Sequence, residues 1–166
     1  MEGPAPCHRL NREQPIMADM TQSLRCELVA ESLRICGVLR LKVIGWSMLP
    51  TIWPGDILVI SPAQHHKIVP GEIAVYRHNG RVIAHRVIAT RSKVITQGDG
   101  VRHADVPVAS HDLLGKVDFI LRNGKKIEPT RQLRATQRAV AGLVRYSTVG
   151  ARVIVGMRQL YDRCQS

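Results

Sequence analysis

A serine in a tight turn between two strands can do chemistry if its hydroxyl is presented outward and its own backbone N–H stays free. Ser47 stands in such a stretch, Gly45-Trp46-Ser47-Met48-Leu49-Pro50-Thr51-Ile52-Trp53-Pro54-Gly55-Asp56. Two prolines and a Gly-Asp pair are turn chemistry. The hydroxyl alone is a weak nucleophile and needs a base to take its proton during attack. The adjacent backbone N–H is the donor that a tetrahedral oxyanion requires. The competing structural reading is a turn serine that bonds its own backbone.

The turn needs an element on each side to hold it. Leu39-Arg40-Leu41-Lys42-Val43 alternates with period two, and Ile57-Leu58-Val59-Ile60 is a β-branched apolar run, so both read as strands. Ile73-Ala74-Val75-Tyr76 and Val82-Ile83-Ala84-His85-Arg86-Val87-Ile88 flank Asn79-Gly80, the preferred two-residue hairpin turn. Val94-Ile95-Thr96 and the run Leu113 to Leu121 add two more strands, the second closed by Asn123-Gly124. Short strands separated by Gly, Pro and Asn turns predict a mainly β domain over 38–127 with a partly closed sheet. Thr21 to Cys36 reads as an amphipathic helix with Ser23 as N-cap and Gly37 just past its end. Leu24, Leu28 and Ile35, with Val29 and Leu33 beside them, form the stripe expected to pack on the sheet. Residues 1–20 carry three prolines and little periodicity, and read as disordered.

Beyond Pro129 the character changes. Over 131–163 Asp162 is the only acid among seven arginines, and Arg131, Arg138, Arg145 and Arg152 recur every seven residues. On a helix these make one basic face, opposite Leu133, Val140, Leu143, Val144, Ile154, Val155 and Tyr161. Such a segment fits an anionic membrane surface or a partner. It fits equally a helix docked on the domain with its charges in water. Gly142, Gly150 and Gly156 each cost about 1 kcal/mol of helix propensity relative to Ala.

The 166 residues suit one domain with appendages. Aromatic residues are only 4% of the chain, so Val, Ile and Leu must build the core. A net charge of +11 points to an anionic partner, nucleic acid or lipid. Neither a nucleic-acid-reading module nor interleaved stacking aromatics is visible, which argues against nucleic acid. Cys7, Cys26, Cys36 and Cys164 form no C-x-x-C pair and sit apart from the histidines, which argues against a metal site. No cofactor motif is present. The sequence shows neither an apolar run of spanning length nor the basic-then-apolar plan of a secretory signal, so a cytoplasmic or peripheral membrane location is expected.

Ser-Met-Leu-Pro-Thr-Ile followed by Gly55-Asp56 resembles the nucleophile box of type I signal peptidases and their self-cleaving repressor relatives, a superfamily of serine peptidases. Members use Lys or His as the base. Here Ala84-His85-Arg86-Val87 stands where one subtype has its lysine, and no lysine occurs between Lys67 and Lys93. That resembles the Ser-His subtype of the endoplasmic reticulum and archaea. Elsewhere a lone strand histidine is an ordinary structural residue. A histidine base needs an acceptor that fixes its tautomer and stabilises the imidazolium. The Ser-His subtype has a Lys-Gly-Asp box and an aspartate six residues later. Asp99, in Gln97-Gly98-Asp99, and Asp105 match that spacing. The resemblance thus implies Ser47, His85 and Asp105 as a catalytic triad, with Asp99 as a second acid supporting the site. An Asp-Gly turn is the plain structural reading of Asp99. Gln97 replaces the usual lysine, and Ala104 stands where an extra acid is common.

The resemblance further implies an extended peptide or protein substrate, paired by its main chain and carrying small residues before the cut. Gly45, Trp46 and Met48 and the strand Ile73 to Tyr76 are the expected substrate contacts. The first functional expectation is therefore a serine endopeptidase of signal-peptidase type. The alternatives are a self-processing regulatory relative, for which Cys36-Gly37 resembles a cut site, and a non-catalytic basic protein that binds lipid or nucleic acid through 131–163.

Overall fold

The computed structural model describes residues 14–146, with backbone alone for 14–22. Helix α1 (Gln14–Cys36) leads into β1 (Leu39–Lys42), β2 (Ile57–Pro62), β3 (Ile73–His78), β4 (Arg81–Thr90), β5 (Val94–Gln97), β6 (Leu113–Arg122), β7 (Lys125–Ile127) and helix α2 (Ala135–Tyr146). The strands form one antiparallel sheet in the order β1-β2-β6-β3-β4-β5, with β7 also paired to β6. The fold is thus mainly β with a helix at each end. Both Asn-Gly pairs turn as expected. Asn79 and Gly80, and Asn123 and Gly124, all have positive φ, and His78 faces Arg81 as Arg122 faces Lys125.

β3 is buried on both faces. Ile73 and Val75 join Leu33, Met48, Ile52, Leu58, Ile60, Val117 and Ile120 in one apolar cluster. Ala74 and Tyr76 join Ile68, Val87, Val94, Val108 and Leu113 in another. The two clusters lie on opposite faces because successive strand side chains alternate. α1 covers the first cluster through Leu33, and it comes close because β6 carries Gly115. A Cβ there would lie 2.3 Å from the Ser61 carbonyl and 3.0 Å from Leu33 Cδ2.

The helix corrects three expectations. It starts at Gln14, so 14–20 are helical rather than irregular, and Ser23 lies inside it instead of capping it. Among its described side chains the buried ones are Cys26 and Leu33, whereas Leu24, Leu28 and Ile35 are 57%, 58% and 69% exposed. Gly37 ends it as expected, in the left-handed region with its N–H on the Leu33 carbonyl. Cys26 is buried and donates its thiol to the Gly80 carbonyl, tying α1 to the β3–β4 turn.

The basic segment is helical from Ala135 to Tyr146, and Arg131 to Arg134 precede the helix. The expectations for 147–163, like those for 1–13, lie outside the described residues. α2 is docked: Ala141 and Val144 are buried, and Val144 packs with Leu49, Trp53 and Val140. Among the described residues, no helix is long and apolar enough to cross a membrane.

Candidate active site

Ser47 follows β1 in a turn that buried polar pairs hold shut. Asp56 accepts from the Trp53 amide and from both Nε and Nη2 of Arg122 on β6. Arg122 Nη2 also donates to the Thr51 carbonyl. The Trp53 indole N–H reaches the Pro50 carbonyl, and the Leu49–Pro50 peptide is cis. Leu49 and Ile52 are fully buried below the turn, so the chain at Ser47 is anchored from beneath. The Gly55-Asp56 end of the turn returns to β1 through Val43, whose N–H donates to the Asp56 carbonyl.

His85 lies on β4 opposite Ala74 of β3. Its Nε2 stands 2.9 Å from Ser47 Oγ, and its Nδ1 stands 2.7 Å from Asp105 Oδ2. His85 is 7% exposed. One proton arrangement serves both contacts: Nδ1–H donates to the carboxylate, and Nε2 accepts from the serine hydroxyl. Asp105 is brought back to the ring by the loop after β5. Its N–H donates to the Thr96 carbonyl, and Val108 bridges to Val94 beyond it.

Asp105 Oδ2 also accepts from Thr96 Oγ1 at 2.8 Å, and Tyr76 Oη lies 3.2 Å from the same threonine hydroxyl. Thr96 has one hydroxyl proton. That proton is within reach of both the Asp105 carboxylate and the Tyr76 oxygen, and the carboxylate is the nearer acceptor. Burial first, and then the charge of Asp105, push the Tyr76 phenol well above its usual range, so it remains a donor. The Asp105 carboxylate is therefore held from two sides, by the ring and by the β5 hydroxyl.

Asp99 goes elsewhere. Its carboxylate takes Arg86 Nε and Nη2, each at 2.8 Å, and the Thr51 hydroxyl. The ion pair is almost wholly buried. Arg86 follows His85 on β4 and points to the opposite face, so the Asp99 carboxylate is engaged away from the imidazole. Gly98 is the close-approach position. A Cβ there would lie 2.6 Å from the Ser47 carbonyl and 3.1 Å from His85 Nε2.

Gly45 and Trp46 are exposed beside Ser47, where a bound peptide could reach them. Met48 is not placed that way: at 4% exposure its side chain belongs to the first core cluster, and only its backbone can face a substrate. The sequence assigns Arg86, Thr51, Thr96 and Tyr76 no role in holding the two aspartates. Arg86 is an arginine inside an otherwise apolar strand, which signals a buried partner; the other three carry no comparable mark.

The antiparallel sheet thus brings a turn serine, a strand histidine and a loop aspartate into one hydrogen-bonded line. A family model described as Peptidase S24-like matches residues 15–117, more than half of the chain. The protein belongs to the S24-like peptidase family, within the superfamily that also holds signal peptidases. No curated protein matches the chain significantly.

Proposed function

We propose that this protein is a serine endopeptidase of signal-peptidase type, of the Ser-His subtype, that cleaves an extended peptide after small residues. The observation that carries the reading is the unbroken line from Ser47 Oγ through His85 to Asp105, with contacts of 2.9 and 2.7 Å. Neutral His85 takes the hydroxyl proton as Ser47 Oγ attacks the scissile carbonyl carbon. The new C–O bond moves an electron pair onto the carbonyl oxygen, where the Ser47 N–H is the candidate donor. Asp105 holds Nδ1–H and stabilises the imidazolium formed. That imidazolium gives its proton to the leaving amine as the C–N bond breaks. Water then hydrolyses the acyl-serine with His85 again as base. No cofactor or metal enters any step.

Action on a separate substrate is favoured over self-cleavage at Cys36-Gly37. That bond lies in a helix cap, with Gly37 at φ +68° and its N–H bonded to Leu33, in a helix that packs on the sheet. A peptidase that pairs with extended chain cannot take a bond held in that form.

Incubation of the full chain with extended peptides carrying Ala before candidate bonds, read by mass spectrometry, tests this. Wild type should give products cut after Ala, and Ser47→Ala should give none. Cleavage that survives Ser47→Ala, or a wild type that cuts no such peptide, would overturn the reading.

A further inference from the structure

Helix α2 begins well beyond residue 117, where the family match ends. It nevertheless reaches the loop that borders the serine. Arg145 Nε donates to the Asp99 carbonyl at 3.0 Å. The Gly100 N–H donates to the Ser47 carbonyl at 2.8 Å. The Asp99 carbonyl and the Gly100 N–H are two ends of one peptide group, which is planar and rigid. A single plane therefore bridges Arg145 to Ser47, gripped at its oxygen by the guanidinium and engaged at its nitrogen by the serine residue. A cation on the carbonyl polarises the group and strengthens the bond its N–H makes.

The packing supports the same link. Val144, 8% exposed, lies against Leu49, two residues after Ser47. A Cβ on Gly100 would come 2.9 Å from Val144 Cγ1 and 3.4 Å from both the Ser47 and Leu49 carbonyls. The chain entering α2 is also fixed, because Arg86 Nη1 donates to the Thr130 carbonyl at 2.6 Å. Asp99 is thus held at its carboxylate by β4 and at its carbonyl by α2. Spacing groups Arg145 with Arg131 and Arg138 in one basic stripe, yet Arg145 is partly buried while the other two are exposed.

We propose that α2 is part of the catalytic apparatus and that Arg145 is a positioning residue for Ser47. It fixes the Asp99–Gly100 peptide, that peptide fixes the Ser47 carbonyl, and the serine hydroxyl stays in line with His85 Nε2. The role in turnover rests on the peptidase reading; the structural coupling does not.

The test uses the full chain as wild type, Arg145→Ala, Arg145→Lys and the exposed control Arg134→Ala. Amide hydrogen exchange is followed at Gly100 and at Val75 in the core of β3. Losing the cation should speed Gly100 exchange about tenfold or more in Arg145→Ala, with Val75 unchanged. Lysine should recover part of the protection, and Arg134→Ala should match wild type. On a peptide cut after Ala, Arg145→Ala should lower kcat about tenfold or more with KM within about twofold, the pattern of a displaced nucleophile. Unchanged Gly100 exchange, or equal acceleration at Val75, would overturn the proposal. If wild type cleaves no peptide, the exchange result still decides the coupling, and only the peptidase reading falls.

Discussion

A side chain at position 98 would have to occupy space already filled by the Ser47 carbonyl and the edge of the His85 ring. The obstacle at 2.6 Å is backbone, so relief requires Ser47 itself to move. Gly98→Ala should therefore cost on the order of 10²-fold or more in kcat, as small misplacements of reacting groups do. Steady-state kinetics beside a thermal melt will check this, and full activity in a folded Gly98→Ala protein would contradict the placement. The acids divide by environment. Asp105 faces the imidazole and is only partly enclosed, whereas Asp99 is buried against Arg86. Removing one partner of a buried pair leaves an uncompensated charge, so the Arg86–Asp99 pair bears on stability as well as on geometry. The Tyr76 phenol adds a pH term. Its folded-state pKa is raised, so the stability it contributes is present below the usual tyrosine value near 10 and is lost as pH rises above it.

At the scale of elements, α1 shows how a helix can contact the core through few side chains. Leu33 is buried in the first cluster and meets β6 at Gly115, while Leu24, Leu28 and Ile35 look outward. Leu33→Ala should destabilise the protein by about 2–5 kcal/mol. Leu24→Ser and Leu28→Ser should each stay within about 0.5 kcal/mol, because neither side chain leaves a packed site. Chemical denaturation will separate the two cases, and larger losses at Leu24 and Leu28 than at Leu33 would mean that the helix packs on its other face. The stripe was legible in the sequence, but its orientation was not. A weakly amphipathic helix can bury either side, and the choice falls to whichever face fits the sheet, here where a glycine in β6 admits Leu33. The Asn79-Gly80 hairpin was legible, because Asn-Gly favours positive φ at both turn positions, whereas Asn123-Gly124 read only as the end of a strand and the return strand β7 was not foreseen.

At the scale of the whole molecule, the sheet holds three distant segments in one line. The β1–β2 turn gives Ser47, the β3–β4 hairpin gives His85, and the loop that folds back along β5 gives Asp105. The spacing of these residues was legible only through resemblance to a peptidase superfamily, because nothing local in the chain states that Asp105 meets His85. Both helices contribute from outside: α1 closes the core, and α2 docks behind the serine turn through Val144 and Arg145. Arg145 escaped the sequence reading because periodicity places it on a basic face and cannot register a carbonyl waiting on the loop. In the proposed reaction Ser47 and His85 share one chemical step. Its most direct test is kcat/KM on a peptide cut after Ala, for Ser47→Ala, His85→Ala and the double variant. Each single change should remove on the order of 10⁴-fold or more, and the double variant should be little worse than either, because members of one proton-transfer unit fail together. Losses that multiply in the double variant would contradict a shared Ser47–His85 step.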